Sequence, residues 1–214
     1  MGTQKKEQAF HNGIQVDSQE EVMMLMYIEE LIENGYAEKV ERAKTFDLSA
    51  KLRNTYNVTV QMKTKEKVVE KSLILLEDHV YTPEFVVIWL AKGKDTFVDT
   101  LVNINSRKFT RPFIGGNATY IEVKPGFDKN NMTRLFKINQ KWMWSSYGIF
   151  VNLVQPHKLF EETFTPRAYL TTPTGKTRVI HWPVKTLEEY VESLKSQDEP
   201  GRECTEADSG ETEG

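Results

Sequence analysis

The run Phe85-Val86-Val87-Ile88-Trp89-Leu90 constrains this chain most. Six consecutive apolar residues, three of them β-branched, suit a strand buried on both faces. Such a strand needs paired neighbours and a layer of helix over each surface. Pro83 stands just before it, where no ladder donor is required. Two later stretches read as further central strands: Ala118–Val123, closed by Pro125-Gly126, and the apolar run from Gly148 to Pro156. Successive strand side chains point to opposite faces. In the first of these stretches Glu122 and Lys124 therefore project together, while Ile121 and Val123 face the other way.

Helical spacing marks the flanking layers. Val22, Leu25, Met26, Ile28, Leu31 and Ile32 recur with a helical period. Ser18 and Glu21 have the spacing of a capping box, and Gly35 stands where a helix stops, predicting a helix over about residues 18–34. Residues 37–76 read as strands with turns. Residues 91–118 are mixed, with a strand or short helix near their start and a loop carrying Arg107, Lys108 and Arg111. A second amphipathic helix is expected over about 129–147, with Met132, Leu135, Phe136, Trp142 and Met143 as its apolar stripe. Trp142 and Trp144 are expected to pack rather than to stack on bases. Residues 168–182 read as a hairpin turning near Pro173-Thr174-Gly175, and Thr186–Lys195 as a short final helix. The expected fold is α/β, with a mixed central β-sheet flanked by helices and a C-terminal hairpin and helix.

The 214 residues, 39% of them hydrophobic, suffice for one domain with its own core. The domain is expected over residues 14–195. The segment 196–214 carries seven acids and one base, and such a composition predicts a disordered acidic tail. The remaining body holds 27 basic and 24 acidic residues, a balance that permits nucleic-acid binding without demanding it. Cys204 is the only cysteine, which excludes an intrachain disulfide framework and a cysteine-based zinc site. No run approaches the ~18–20 apolar residues of a membrane span, and the first residues lack the apolar stretch of a signal peptide. An intracellular, cytoplasmic setting with no membrane partner is expected.

Four charged residues stand out in chain order: Glu21 on the first helix, Glu84 at the start of the apolar strand, and Glu122 and Lys124 on the next. Carboxylates bind hard divalent ions through oxygen, and a bound ion polarises a phosphate and activates water. A lysine beside them stabilises developing charge. Plainer readings stand beside this one. Glu21 serves equally as the end of its capping box, Glu84 as a solvated strand end, and Glu122 with Lys124 as an ion pair. His79, His157 and His181 show no metal spacing.

Pro83-Glu84, followed by Glu122-Val123-Lys124, resembles the PD-(D/E)XK nuclease superfamily. The stretches "YTPEFVV" and "YIEVKPG" look like its two core strands, and "DSQEEVMMLMYIEELIENG" looks like its leading helix. The chain is similar to small phage-type endonucleases, Holliday-junction resolvase-like proteins and transposase nuclease subunits over about residues 14–155. Residues from about 156 form an extension beyond it. The resemblance implies a restriction-endonuclease-like sheet and Mg²⁺- or Mn²⁺-dependent hydrolysis of DNA in phage DNA processing or recombination, in the host cytoplasm if phage-encoded. It implies Glu84, Glu122 and Glu21 as metal ligands and Lys124 as the catalytic lysine. The superfamily most often has Asp where Glu84 stands, and residues 91–118 look like an insertion.

Arg107, Lys108 and Arg111, interleaved with Phe109 and Phe113, suit contacts to backbone phosphates and a base. Lys137, Gln140 and Lys141 on the second amphipathic helix are further candidates for nucleic-acid contact. A homodimer is expected, because one such site cuts one strand. Two other readings remain open: a subunit active only with protein partners in a DNA-processing complex, and an inactive nuclease-like module that binds nucleic acid.

Overall fold

A computed structural model describes residues 9–97, 116–126 and 135–197 of the chain. The strands are β1 (Ala9–His11), β2 (Ile14–Val16), β3 (Ala37–Arg42), β4 (Phe46–Ser49), β5 (Leu52–Gln61), β6 (Glu66–Leu76), β7 (His79–Tyr81), β8 (Phe85–Trp89), β9 (Ala118–Val123) and β10 (Val151–Val154). The helices are α1 (Gln19–Glu33), α2 (Ala91–Phe97), α3 (Leu135–Tyr147), α4 (Pro156–Glu162) and α5 (Leu187–Gln197). The class is mixed α/β, as expected.

The central sheet has four strands in the order β10-β9-β8-β3. β3, β8 and β9 pair antiparallel, whereas β10 lies parallel to β9, with α3 between them in the chain. A parallel neighbour requires such a crossover. Phe85, Val87, Trp89, Ile121, Val123 and Val154 point to one face and join a core with α1, α4 and α5. Tyr120 and Val151 point to the other, against Phe46, Tyr81, Phe136, Met143 and Ile149. One face of β8 is therefore in the core, while Val86 and Ile88 on the other are only half-buried and join neither cluster, so the strand expected to be buried on both faces is fully buried on one.

The α1 prediction holds: Ser18 caps the helix by accepting from the Glu21 N–H at 3.2 Å. On α3 the buried stripe is Phe136, Asn139 and Met143, while Leu135 and Trp142 are exposed. Residues 135 and 142 are seven apart and share a line beside that stripe, so the helical period carries both out of the core together. Trp144 is also 43% exposed, against the expected packing role. Over 168–182 a full hairpin does not form. A 3₁₀ turn at Arg167–Leu170 leads to one bridge, Thr171 to Thr177, around a turn with Gly175 at φ +76°. Pro173 lies within the turn that Thr172 closes by donating to the Lys176 carbonyl at 2.8 Å, and the 3₁₀ turn before Thr171 takes the chain out of strand geometry.

β5 and β6 form a long two-stranded arm paired only with each other. Every arm residue is exposed except Val58 and Val69, which are half-buried. The helix expected over 129–147 is described from Leu135 onward. Arg107, Lys108, Arg111 and the acidic segment from Asp198 lie outside the described residues.

Candidate active site

Sheet register brings the two strand acids together. Phe85 pairs with Ile121, so one step further along the antiparallel pair sets Glu84 opposite Glu122. The Glu84 carboxylate accepts from the Val123 N–H at 3.2 Å. Lys124 extends the parallel pairing, donating its N–H to the Val154 carbonyl at 3.0 Å. Its Nζ lies 2.7 Å from Oε1 of Glu122 and 3.5 Å from Oε1 of Glu84. Tyr81, reaching over from β7, donates its hydroxyl to Oε2 of Glu122 at 2.8 Å. Glu122 is 6% exposed, so its two oxygens are met by a phenol and an ammonium rather than by bulk water.

Burial sets the protonation of this cluster. Burial first, then hydrogen bonding to Glu122 and its negative charge, push the Glu84 carboxyl up to about 8, while Lys124 and the Val123 N–H pull it back. Burial would lower Lys124, but the hydrogen bond to Glu122 and the charges of Glu84 and Glu122 outweigh it and raise the ammonium above its ordinary value. Lys124 is thus held as a cation. Tyr81 is raised well above the usual phenol range by burial and by Glu122, and it stays a donor.

Glu21 is engaged elsewhere. Its carboxylate accepts from the Ser18 hydroxyl at 3.3 Å and the Asp17 N–H at 3.2 Å, and it pairs with Nη2 of Arg42 at 2.5 Å. Arg42 also reaches the Gln15 and Glu84 carbonyls, at 2.8 and 3.5 Å. The predicted helix acid is linked to the site through Arg42 and the backbone of Glu84. Glu20, one residue earlier, lines a cleft with Lys124. The resemblance made Glu21 the helix acid of the site, with the capping box as the plainer alternative, and the capping box uses its carboxylate.

Among the described residues no three His, Cys, Asp or Glu side chains gather as a metal-holding group. As a pair, Glu84 and Glu122 offer hard oxygen donors that fit a cation keeping most of its water, as Mg²⁺ does. Two carboxylates face one ammonium here, and a divalent cation would add positive charge between them.

Of the nucleic-acid candidates, Lys137 and Lys141 are exposed on α3, whereas Gln140 is fastened to β10 through a 2.7 Å hydrogen bond to the Val151 carbonyl. Tyr81 and Arg42 escaped the sequence reading. Tyr81 sits three residues before Glu84, and only the β4–β7 pairing turns it toward Glu122. His79 bonds Asn139 at 2.9 Å and lies edge-on to Trp142, a packing role. Comparison with protein-family models, curated proteins and solved structures finds no match for this chain.

Proposed function

We propose that the protein is a metal-dependent DNA endonuclease with a PD-(D/E)XK-type site. The supporting observation is Lys124 Nζ set between the carboxylates of Glu84 and Glu122 on paired strands. Glu84 and Glu122 would hold Mg²⁺ or Mn²⁺. The bound ion would supply Lewis-acid polarisation of the phosphate and a more acidic water. Lys124 would place positive charge beside the phosphodiester and orient the attacking water. Tyr81 fixes the Glu122 rotamer, and Glu21, through Arg42, holds the backbone at Glu84. Hydrolysis would leave a 5′-phosphate and a 3′-hydroxyl. A homodimer would cut both strands, and action within a DNA-processing complex would add protein partners.

The test is cleavage of linear, nicked and four-way-junction DNA with Mg²⁺, comparing wild type with Lys124→Ala. Equal cleavage by both proteins would rule out the catalytic role of Lys124.

The engagement of Glu21 by Arg42 favours one second reading, an inactive nuclease-like module that binds nucleic acid. Calorimetric titration with Mg²⁺ separates the two: the inactive module takes up no ion that depends on Glu84 and Glu122.

A further inference from the structure

The cleft that Glu20 shares with Lys124 has a volume of about 330 Å³. Its walls include Lys158, His157, Glu161 and Trp182, all from the extension beyond the nuclease-like strands. The volume stands at the lower end of small-ligand sites, about 300–1,000 Å³. It admits one nucleotide and not a base pair.

The lining is chemically mixed, and the mixture is informative. Lys124 and Lys158 suit phosphate, yet Glu20 and Glu161 would repel a bare backbone. Carboxylates do accept from the amino groups of bases. A duplex still shows one hydrogen of each such amino group in a groove, whereas an unpaired base offers both and also frees its flat face for stacking. Trp182 gives the cleft an aromatic wall, and bases stack on such walls regardless of sequence. Its orientation is fixed: the indole N–H donates to Oγ1 of Thr165 at 3.1 Å, and the His157 ring meets it edge-on at 6.0 Å. His157 is itself tied to the Tyr169 hydroxyl at 3.2 Å. Lys158 lies 3.8 Å from Glu162 and is largely exposed, free to swing toward a phosphate.

We infer that this cleft is a subsite for one unpaired, amino-bearing nucleotide flanking the phosphodiester at Glu84, Glu122 and Lys124. The inference deepens the nuclease reading and rests on it for the position of the scissile bond. Segment 156–182 then serves to select strands with unpaired positions: flaps, junction branches or single strands.

The experiment uses the full-length protein without metal, so that no cleavage intervenes. An oligonucleotide with one 2-aminopurine is titrated either unpaired or within a matched duplex. The expected result is quenching of the unpaired probe on the Trp182 indole, with binding at least about five-fold tighter than in the duplex, the lower range for one stacked base. Lys158→Ala and Glu161→Ala, both at exposed positions, should each lower that preference about three-fold or more. Trp182→Phe, which keeps a ring, should retain most of it, while unfolding curves check that the variant is intact. Equal binding of both probes, or a preference unchanged in the Lys158 and Glu161 variants, overturns the subsite. Nuclease failure is distinguishable: a protein that selects the unpaired probe yet never cuts with Mg²⁺ keeps the subsite and loses the nuclease reading. One that cuts matched duplex and shows no probe preference does the reverse.

Discussion

The Nζ of Lys124 lies 2.7 Å from Oε1 of Glu122, two residues back on the same strand. Same-face spacing in a strand brings the two side chains together, and the opposing strand adds Glu84 at 3.5 Å from the same ammonium. One cation is thus shared by two acids in a site mostly closed to water.

Removing that cation should damage both chemistry and fold. Lys124→Ala is expected to lower Mg²⁺-dependent cleavage by ~10²–10³-fold, the usual scale for one group that stabilises developing charge. It should also cost on the order of 2 kcal/mol of stability without metal, because the buried Glu122 carboxylate loses its ammonium partner. Single-turnover cleavage and urea unfolding measure the two effects, and Mg²⁺ should restore part of the lost stability.

Glu84 makes stability depend on pH in a stated direction. Its carboxyl titrates near 4.5 in the unfolded chain and is pushed up to about 8 in the fold. Between those values the folded state binds more protons than the unfolded one, so unfolding free energy falls as pH rises through the window. The contribution is fully present below pH 4.5 and lost above about 8. Glu84→Gln should flatten this slope and raise Tm at pH 8, with roughly 2–4 °C for each 1 kcal/mol gained. Scanning calorimetry from pH 5 to 9 without metal reads the difference, and an unchanged slope would refute the assignment.

Glu21 is predicted to act on the fold rather than on the ion. Glu21→Ala removes a capping-box partner and the shorter of Arg42's two acidic contacts, leaving Asp17 at 3.6 Å, and should cost ~1–2 kcal/mol. Mg²⁺ affinity by calorimetry should stay within about two-fold of wild type, a change far smaller than 1.4 kcal/mol in binding. A loss as large as that of Glu84→Ala would return Glu21 to the ligand set.

The arm should be dispensable for folding. Residues 54–73 replaced by a short Asn-Gly turn remove only two half-buried side chains, Val58 and Val69. Isolated two-stranded ribbons contribute little stability. Thermal unfolding of the shortened chain should fall within about 2–4 °C of wild type, the shift for roughly 1 kcal/mol. A larger drop would show that the arm supports the core.

Much of this was legible in the sequence, for identifiable reasons. The α1 boundaries followed from Ser18, Glu21 and Gly35, all local signals. β8, β9 and β10 followed from apolar runs bounded by proline and glycine. The α3 stripe was misplaced by one helical line, because Leu135 and Trp142 match the period as well as Phe136 and Met143 do. Helix α4 was missed, its seven residues being too few to show a period.

By itself the sequence determined the local elements and the shared face of Glu122 and Lys124, since both depend on neighbours in the chain. Tertiary structure alone decided that Glu84 lies opposite Glu122, because sheet register depends on which strands pair. It also decided that Tyr81 caps Glu122, that Arg42 holds Glu21, and that Trp182 walls a cleft against Lys124. These contacts join residues from 21 to more than 50 positions apart. Packing of whole faces against the sheet sets them, and no spacing rule along one strand or helix encodes that.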